Sequence, residues 1–172
     1  MTARTIQQLH DLTGRTALIT GGSRGLGLQM AHALGEAGAR LLITSRKQHE
    51  LDEAAAQLRA AGHRVDVMVT DGRDDAQIHA LVDHALTTLG QIDILVNNSG
   101  ATWGAAATDH PMDAWDKVMD LNARSVFLLS REVVKRCMLA RGQGRIVNTA
   151  SIAALGGTVG SMQAAAYHAS KG

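Results

Sequence analysis

Arg15-Thr16-Ala17-Leu18-Ile19-Thr20-Gly21-Gly22-Ser23-Arg24-Gly25-Leu26-Gly27 decides how the rest of the chain is read. A short apolar run ends in a glycine cluster. The cluster passes directly into Leu26, Met30, Ala33, Leu34 and Ala37 at helical spacing, stopped by Gly38. Strand, glycine turn and helix open a parallel α/β unit. A helix start exposes unpaired N–H groups and partial positive charge, and glycines let an anion approach that backbone closely. The spacing Gly21-x-x-x-Gly25-x-Gly27 departs from the G-x-G-x-x-G form. Two readings are open at this point: a pyrophosphate-binding turn, or a glycine-rich turn with no ligand.

Further short apolar runs lie at 40–44 (RLLIT), 65–69 (VDVMV), 92–96 (IDILV) and 145–149 (RIVNT), which with 15–20 predict five strands. Amphipathic stretches separate them. Leu51, Ala54, Ala55 and Leu58 are stopped by Gly62. Ile78, Leu81, Val82, Ala85, Leu86 and Leu89 form an unbroken stripe. Pro111 opens a long helix through Trp115, Val118 and Met119 toward Val133, Cys137 and Met138, with Gly142 after it. Alternating strands and helices imply crossovers, hence a parallel sheet covered on both faces. The predicted fold is α/β: one doubly wound, Rossmann-like sheet in a single domain over 1–172. Ligands on such sheets bind beyond the carboxyl ends of the strands, where the unusual residues of this sequence collect.

Composition excludes several classes. Of 172 residues, 45% are hydrophobic and 19% charged, so the chain is globular, not disordered. A net charge of +1 gives no basic surplus for nucleic acid. No apolar run approaches the ~18 residues of a membrane span, and the N-terminus lacks the apolar core of a secretory signal. The single Cys137 has no partner for an internal disulfide, which fits a reducing cytoplasm. The eight histidines show no paired metal-ligand spacing, and His79 and His84 fall off a shared helical face. No metal site is read.

The second strand ends in Thr44-Ser45-Arg46-Lys47, with no carboxylate to accept hydrogen bonds from an adenosine ribose. A guanidinium binds a 2′-phosphate as a fork, and Ser45 supplies a hydroxyl. With Arg24 in the glycine turn, this favours NADP(H) over NAD(H). The alternative for Arg46 and Lys47 is solvated charge at a helix start. Farther on, Tyr167-His168-Ala169-Ser170-Lys171 holds the only tyrosine. On a helix, i and i+4 share one face. A free phenol has a pKa of ~10, and a nearby ammonium lowers it toward useful acid/base chemistry. Taken alone, Tyr-x-x-x-Lys also reads as a surface pair. Three further elements change the weighing: Ser151 after the fifth strand, Asn97-Asn98-Ser99-Gly100 after the fourth, and Asn122 inside the long helix.

Together, in this order and at these strand ends, these elements resemble the short-chain dehydrogenase/reductase family, from about Thr13 to Gly172. The sequence looks most like its gluconate 5-dehydrogenase-like and 3-oxoacyl-carrier-protein reductase-like members. The resemblance implies an oxidoreductase that interconverts a secondary alcohol and a ketone. Tyr167 is then the proton donor or acceptor. Lys171 assists it and binds the nicotinamide ribose, and Ser151 holds the substrate oxygen. Asn122 kinks its helix and holds a water linked to Lys171. For the cofactor, the resemblance implies contacts from Gly21, Ser23, Arg24, Gly25, Leu26 and Gly27, from Ser45 and Arg46, and from Asp71 and Gly72 beside adenine. It adds Asn98, Ser99 and Gly100 along the groove. It also implies a small-molecule carbonyl or alcohol substrate, and a homo-oligomer built on the helices after the fourth and fifth strands.

The sequence departs from the family pattern in four places. Ser99 replaces a usual alanine, and Gly72 a usual apolar residue. Ser151 and Tyr167 are 16 apart, so that extra residues are expected to loop out through Gly156, Gly157 and Gly160. The sequence stops one residue after Lys171, where family members continue through further strands. The expectation is a domain incomplete at its C-terminus, with the fifth strand left as an open sheet edge and Lys171 close to a fraying end; the alternative to an active oxidoreductase is a nucleotide-binding but catalytically inactive fragment or regulatory domain. Trp103 and Met162 are further candidates for contact with substrate.

Overall fold

The structure is a computed structural model that describes residues 5–157 and 163–172. Five strands, β1 (Thr16–Thr20), β2 (Arg40–Ser45), β3 (Val65–Val69), β4 (Ile94–Asn97) and β5 (Arg145–Asn148), form one parallel sheet in the order β3-β2-β1-β4-β5. Each predicted run is a strand, with ends shifted by a residue or two. Between the strands run α2 (Gly25–Glu36), α3 (Gln48–Ala60), α4 (Asp75–Leu89) and a long helix that starts at Met112 and ends at Arg141. The chain closes on α8 (Ala165–Lys171).

Alternation along the strands sends apolar side chains to both faces. Leu18, Leu42 and Leu95 pack against the α4 stripe (Ile78, Leu81, Val82, Ala85) and against Leu128, Leu129, Val133 and Met138 of the long helix. Ala17, Ile19, Leu41, Ile43 and Val96 pack against Ala31 of α2 and Leu51, Ala54, Ala55 and Leu58 of α3. The fold is therefore doubly wound, as the alternation predicts. Cys137 belongs to the first of these cores, where its sulfur also accepts the Ile92 N–H at 3.2 Å.

The long helix is not uniform. It runs as α5 (Met112–Met119), a π turn (Asp120–Arg124), α6 (Ser125–Val133), a second π turn (Val134–Met138) and α7 (Leu139–Arg141). In the first π turn the Ser125 N–H reaches back five residues to the Asp120 carbonyl. The Leu121 carbonyl thus loses its α-helical partner, and the Ser125 hydroxyl donates to it instead at 2.6 Å. Leu121 and Asn122 are both buried as a result.

Two features were not read from the sequence. A short α1 (Ile6–His10) precedes β1, closed by a capping box in which Thr5 and Gln8 exchange side-chain and backbone bonds. At the amino end of the sheet, Asp93 is buried, and accepts from Arg141 at 2.7 Å, from the Thr16 N–H at 3.0 Å and from Gln91 at 3.0 Å. Burial opposes its charge, but these donors outweigh burial and hold its carboxyl below the usual aspartate range. β5 lies at the sheet edge, paired with β4 on one side only, and all four of its residues are exposed.

Candidate active site

The sheet order places β1 between β2 and β4, so the connections from β1 and β4 leave in opposite directions. That reversal opens a crevice above the carboxyl ends of the strands. The groove in it is lined by Gly21, Ser23, Arg24 and Gly25 of the glycine turn, by Ser45, Arg46, Lys47 and Glu50 after β2, by Thr70 and Gly72 after β3, by Asn98, Ser99 and Gly100 after β4, and by Leu121. Most of the cofactor-binding residues predicted from the sequence therefore meet on one surface.

The glycines are there for two different reasons. Gly21 and Gly25 take φ of +64° and +54°, which turns the chain from strand to helix. Gly27 is required by space: a Cβ there would stand 2.1 Å from the Gly21 carbonyl oxygen and 2.5 Å from Asn98 Nδ2. The start of α2 has no side-chain cap, so its first N–H groups have no intrahelical partner. An open backbone, a positive helix end and the flanking Arg24, Arg46 and Lys47 fit the phosphates of a dinucleotide.

Other predicted residues stand differently. Leu26 is 65% exposed and does not line the groove. The Asp71 carboxylate is turned to Arg73, which binds it with Nε at 3.0 Å and a terminal nitrogen at 2.6 Å. That hydrogen-bonded pair holds Asp71 below the usual aspartate range against burial. Asp71 thus flanks the groove without lining it. Gly72 has a local reason: a Cβ there would lie 3.1 Å from Leu121 Cδ1, in the groove wall.

Asn122 is buried in the first π turn. Its Oδ1 accepts the Ala101 N–H at 2.8 Å, and its Nδ2 donates to the Ala101 carbonyl at 2.8 Å and to Ser170 Oγ at 2.9 Å. It therefore joins the loop after β4 to α8. Ser151 caps the 3₁₀ turn Ile152–Leu155, its Oγ accepting from the Ala153 N–H at 3.2 Å. Because that bond uses a lone pair, its own hydroxyl proton is left to donate. The Lys171 ammonium donates to the Thr149 carbonyl at 2.7 Å and lies beside Gly100, 4.0 Å from where a Cβ there would be. Tyr167 is half-buried, one turn before it on α8. His168 fastens the Ser151 segment to α8, with Nδ1 2.8 Å from the Ala153 carbonyl and 2.9 Å from that of Gly156. Gly156 and Gly157 are exposed, whereas Gly160 and Met162 lie outside the described residues. Trp103 is partly exposed, with the Lys117 ammonium 5.7 Å from its ring centre.

Two groups in the site were not singled out from the sequence. The Thr20 hydroxyl accepts the N–H groups of both Asn98 and Ser99, at 3.0 and 3.1 Å, and so clamps β1 to the loop after β4. Its position, one residue before the glycine cluster at a strand end, was the available signal. Glu50 faces the groove from the first turn of α3, where a carboxylate ordinarily reads as surface charge.

Residues 15–172 match the family described as short chain dehydrogenase. The chain belongs to that family. Among curated relatives, it is 37% identical over 164 residues to the rhamnolipids biosynthesis 3-oxoacyl-acyl-carrier-protein reductase of Pseudomonas aeruginosa, covering 94% of this chain and 63% of the relative. It is 35% identical over 144 residues to the gluconate 5-dehydrogenase of Gluconobacter oxydans, covering 84% and 56%. Among solved structures, a short-chain type dehydrogenase/reductase from Mycobacterium marinum superposes with a TM-score of 0.92 at 31% identity, over 98% of this chain and 68% of that one. The F189W actinorhodin polyketide ketoreductase with NADPH gives 0.87 at 38%, over 91% and 59%. An NAD+-bound xylitol dehydrogenase gives 0.86 at 31%, over 93% and 60%. The chain thus spans half to two thirds of the length of most relatives it matches. No helix among its described residues is long and apolar enough to cross a membrane.

Proposed function

We propose that this chain carries the cofactor cradle and the proton-transfer residues of an NADP(H)-dependent oxidoreductase that interconverts a secondary alcohol and a ketone. The observation that carries the reading is convergence. Asn122, Ser151 and the helix that carries Tyr167 and Lys171 come from three separate segments at the carboxyl end of the sheet, where Asn122 bonds Ser170 of that helix and Lys171 bonds the Thr149 carbonyl, beside a groove suited to a dinucleotide phosphate. A nicotinamide cofactor, when bound, supplies or accepts the hydride. In the direction of reduction, Tyr167 gives its phenolic proton to the carbonyl oxygen while the Ser151 hydroxyl donates to the same atom. Lys171, held by the Thr149 carbonyl, follows Tyr167 by one turn of the same helix and is the cation this reading assigns to the proton transfer. Asn122 holds α8 against the loop after β4, which sets the distance between that pair and the groove. Alcohol oxidation runs the same proton path backward.

Arg46 at the groove carries the NADP(H) preference, since a guanidinium pairs with a 2′-phosphate. The relatives include one structure with NADPH and one with NAD+, so the preference rests on this chain's residues. Exposed Phe127 and Leu139 on α6 and α7 support assembly of copies through the long helix.

The test is a screen of small ketones with NADPH on the wild type and Tyr167→Phe, with cofactor binding followed by nicotinamide fluorescence. Loss of turnover with retained binding is expected. Turnover that survives Tyr167→Phe refutes the acid/base assignment, and binding without turnover in the wild type identifies a nucleotide-binding domain instead. Arg46→Asp is expected to weaken NADPH at least tenfold more than NADH; equal effects refute the phosphate reading.

A further inference from the structure

The anion-binding end of the groove contains a carboxylate. Glu50 projects from the first turn of α3 and is only 19% exposed at its side chain. Its Oε1 takes the Lys47 ammonium at 2.8 Å, and its Oε2 takes the Ser23 hydroxyl at 3.3 Å. Both partners line the same groove as Glu50 itself. The hydrogen bond from Lys47 holds the Glu50 carboxyl below the ordinary glutamate range, and Arg24 adds to the effect, so the group is charged at neutral pH.

This arrangement changes what the groove offers. Lys47 is a free cation when read from the sequence, but in the fold it is already paired. The Ser23 hydroxyl donates to Glu50 across 3.3 Å, and in that arrangement Ser23 presents lone pairs to a ligand. Ser23 and Glu50 together therefore form an accepting surface, suited to the hydroxyl groups of a ribose and opposed to a phosphate dianion. Arg46 forms no hydrogen bond or ion pair with Glu50, and Asp71, whose carboxylate feels the Arg46 charge, is bound by Arg73. The groove thus has a hydroxyl-accepting side at Glu50 and a phosphate-binding side at Arg46.

We propose that Glu50 is a specificity-determining residue that restrains the preference for the 2′-phosphorylated cofactor by neutralising Lys47 and occupying Ser23. The inference rests on the nucleotide reading of the groove given above. Removing one unit charge that faces a phosphate dianion across a partly solvated groove is worth roughly tenfold in affinity. Glu50→Gln is close in size, and its side-chain oxygen still accepts from Ser23.

The experiment is isothermal titration calorimetry of the whole chain with 2′,5′-ADP and with 5′-ADP, two fragments that each carry two phosphates, one on each of the 2′ and 5′ hydroxyls in the first and both in a 5′-pyrophosphate in the second, at low and high salt. Thermal melts confirm folding of each variant. In Glu50→Gln, 2′,5′-ADP is expected to bind about tenfold tighter, with 5′-ADP changed less than threefold, and the salt dependence of 2′,5′-ADP steeper than in the wild type. Glu50→Ala, which also frees Ser23, is expected to shift in the same direction and serves if the glutamine variant folds poorly. If both fragments shift equally, or 2′,5′-ADP does not tighten, the role of Glu50 is overturned while the nucleotide reading stands. If the wild type binds neither fragment, the nucleotide reading fails and takes this inference with it.

Discussion

Replacing Asn122 by alanine tests whether the loop after β4 and α8 are joined by that one amide. The side chain is 5% exposed and makes three hydrogen bonds of 2.8, 2.8 and 2.9 Å, two of them to the backbone of Ala101. A net hydrogen bond contributes about 1 kcal/mol, and a polar group left buried without a partner costs about 1–3 kcal/mol. Ala101 is half-buried, so water replaces part of what is lost. The expected cost is therefore about 3 kcal/mol, a large fraction of the ~5–15 kcal/mol of a small domain. Ser170→Ala removes a single arm of the same amide and is expected to cost about 1 kcal/mol. The assay is guanidinium unfolding followed by circular dichroism for wild type, both single variants and the double variant. Because the two residues share a hydrogen bond, the double variant should cost about 1 kcal/mol less than the two single costs together. Strict additivity, or a cost below 1 kcal/mol for Asn122→Ala, refutes the idea that this amide holds α8 to the loop.

Gly27→Ala places a Cβ 2.1 Å from the Gly21 carbonyl and should cost about 2–3 kcal/mol while weakening nucleotide binding at least tenfold; Gly25→Ala meets no neighbour and should cost only about 1–2 kcal/mol, from its positive φ. Both are read from unfolding curves and fluorescence titration. Asp93→Asn should cost about 2–3 kcal/mol at pH 7, less than a fully buried pair because Arg15 and Arg141 reach solvent. Since the folded-state pKa of Asp93 is depressed, its contribution is present in full above the ordinary value of about 3.8 and fades as pH falls from there through the lower folded-state value. Stability measured from pH 6 down to pH 2 should therefore fall less steeply in Asp93→Asn than in the wild type, and parallel curves would contradict the assignment.

The fold was legible because its signals are periodic. Strand alternation and helical stripes survive in a single sequence, and every strand and each long helical stripe read that way is present. The capping box at Thr5 and Gln8 was equally present in the sequence, but a five-residue polar helix carries no apolar stripe to draw attention to it. The π turn around Asn122 has no periodic signature, since one extra residue in a turn looks like ordinary helix until Ser125 is seen bonding to both Asp120 and Leu121. Motif positions predicted most of the groove, but not the partners that charged side chains choose there. Asp71 and Lys47 each had two destinations, a ligand or a neighbouring ion, and in each case an oppositely charged group a few residues away supplies the partner. That choice depends on rotamers and distances, which residue type and spacing do not encode.

The polar contacts at the carboxyl end of the sheet form one continuous chain. Asn98 Nδ2 donates to the carbonyls of Thr20 and Gly21, each at 3.1 Å. Asn98 Oδ1 accepts from the Thr149 hydroxyl at 3.4 Å, and the Thr149 carbonyl accepts from Lys171. The glycine turn that would hold a phosphate is thus tied through two residues, on adjacent strand ends, to the ammonium beside Tyr167. The tie requires parallel strands in the order β1-β4-β5, because only then do Thr20, Asn98 and Thr149 leave the sheet side by side at the same end. A displacement of β5 would move Lys171 through the Thr149 carbonyl, and would reach the cradle only through the Thr149–Asn98 contact. Since β5 is an exposed edge of the sheet, the position of Lys171 depends on the strand with the least packing around it.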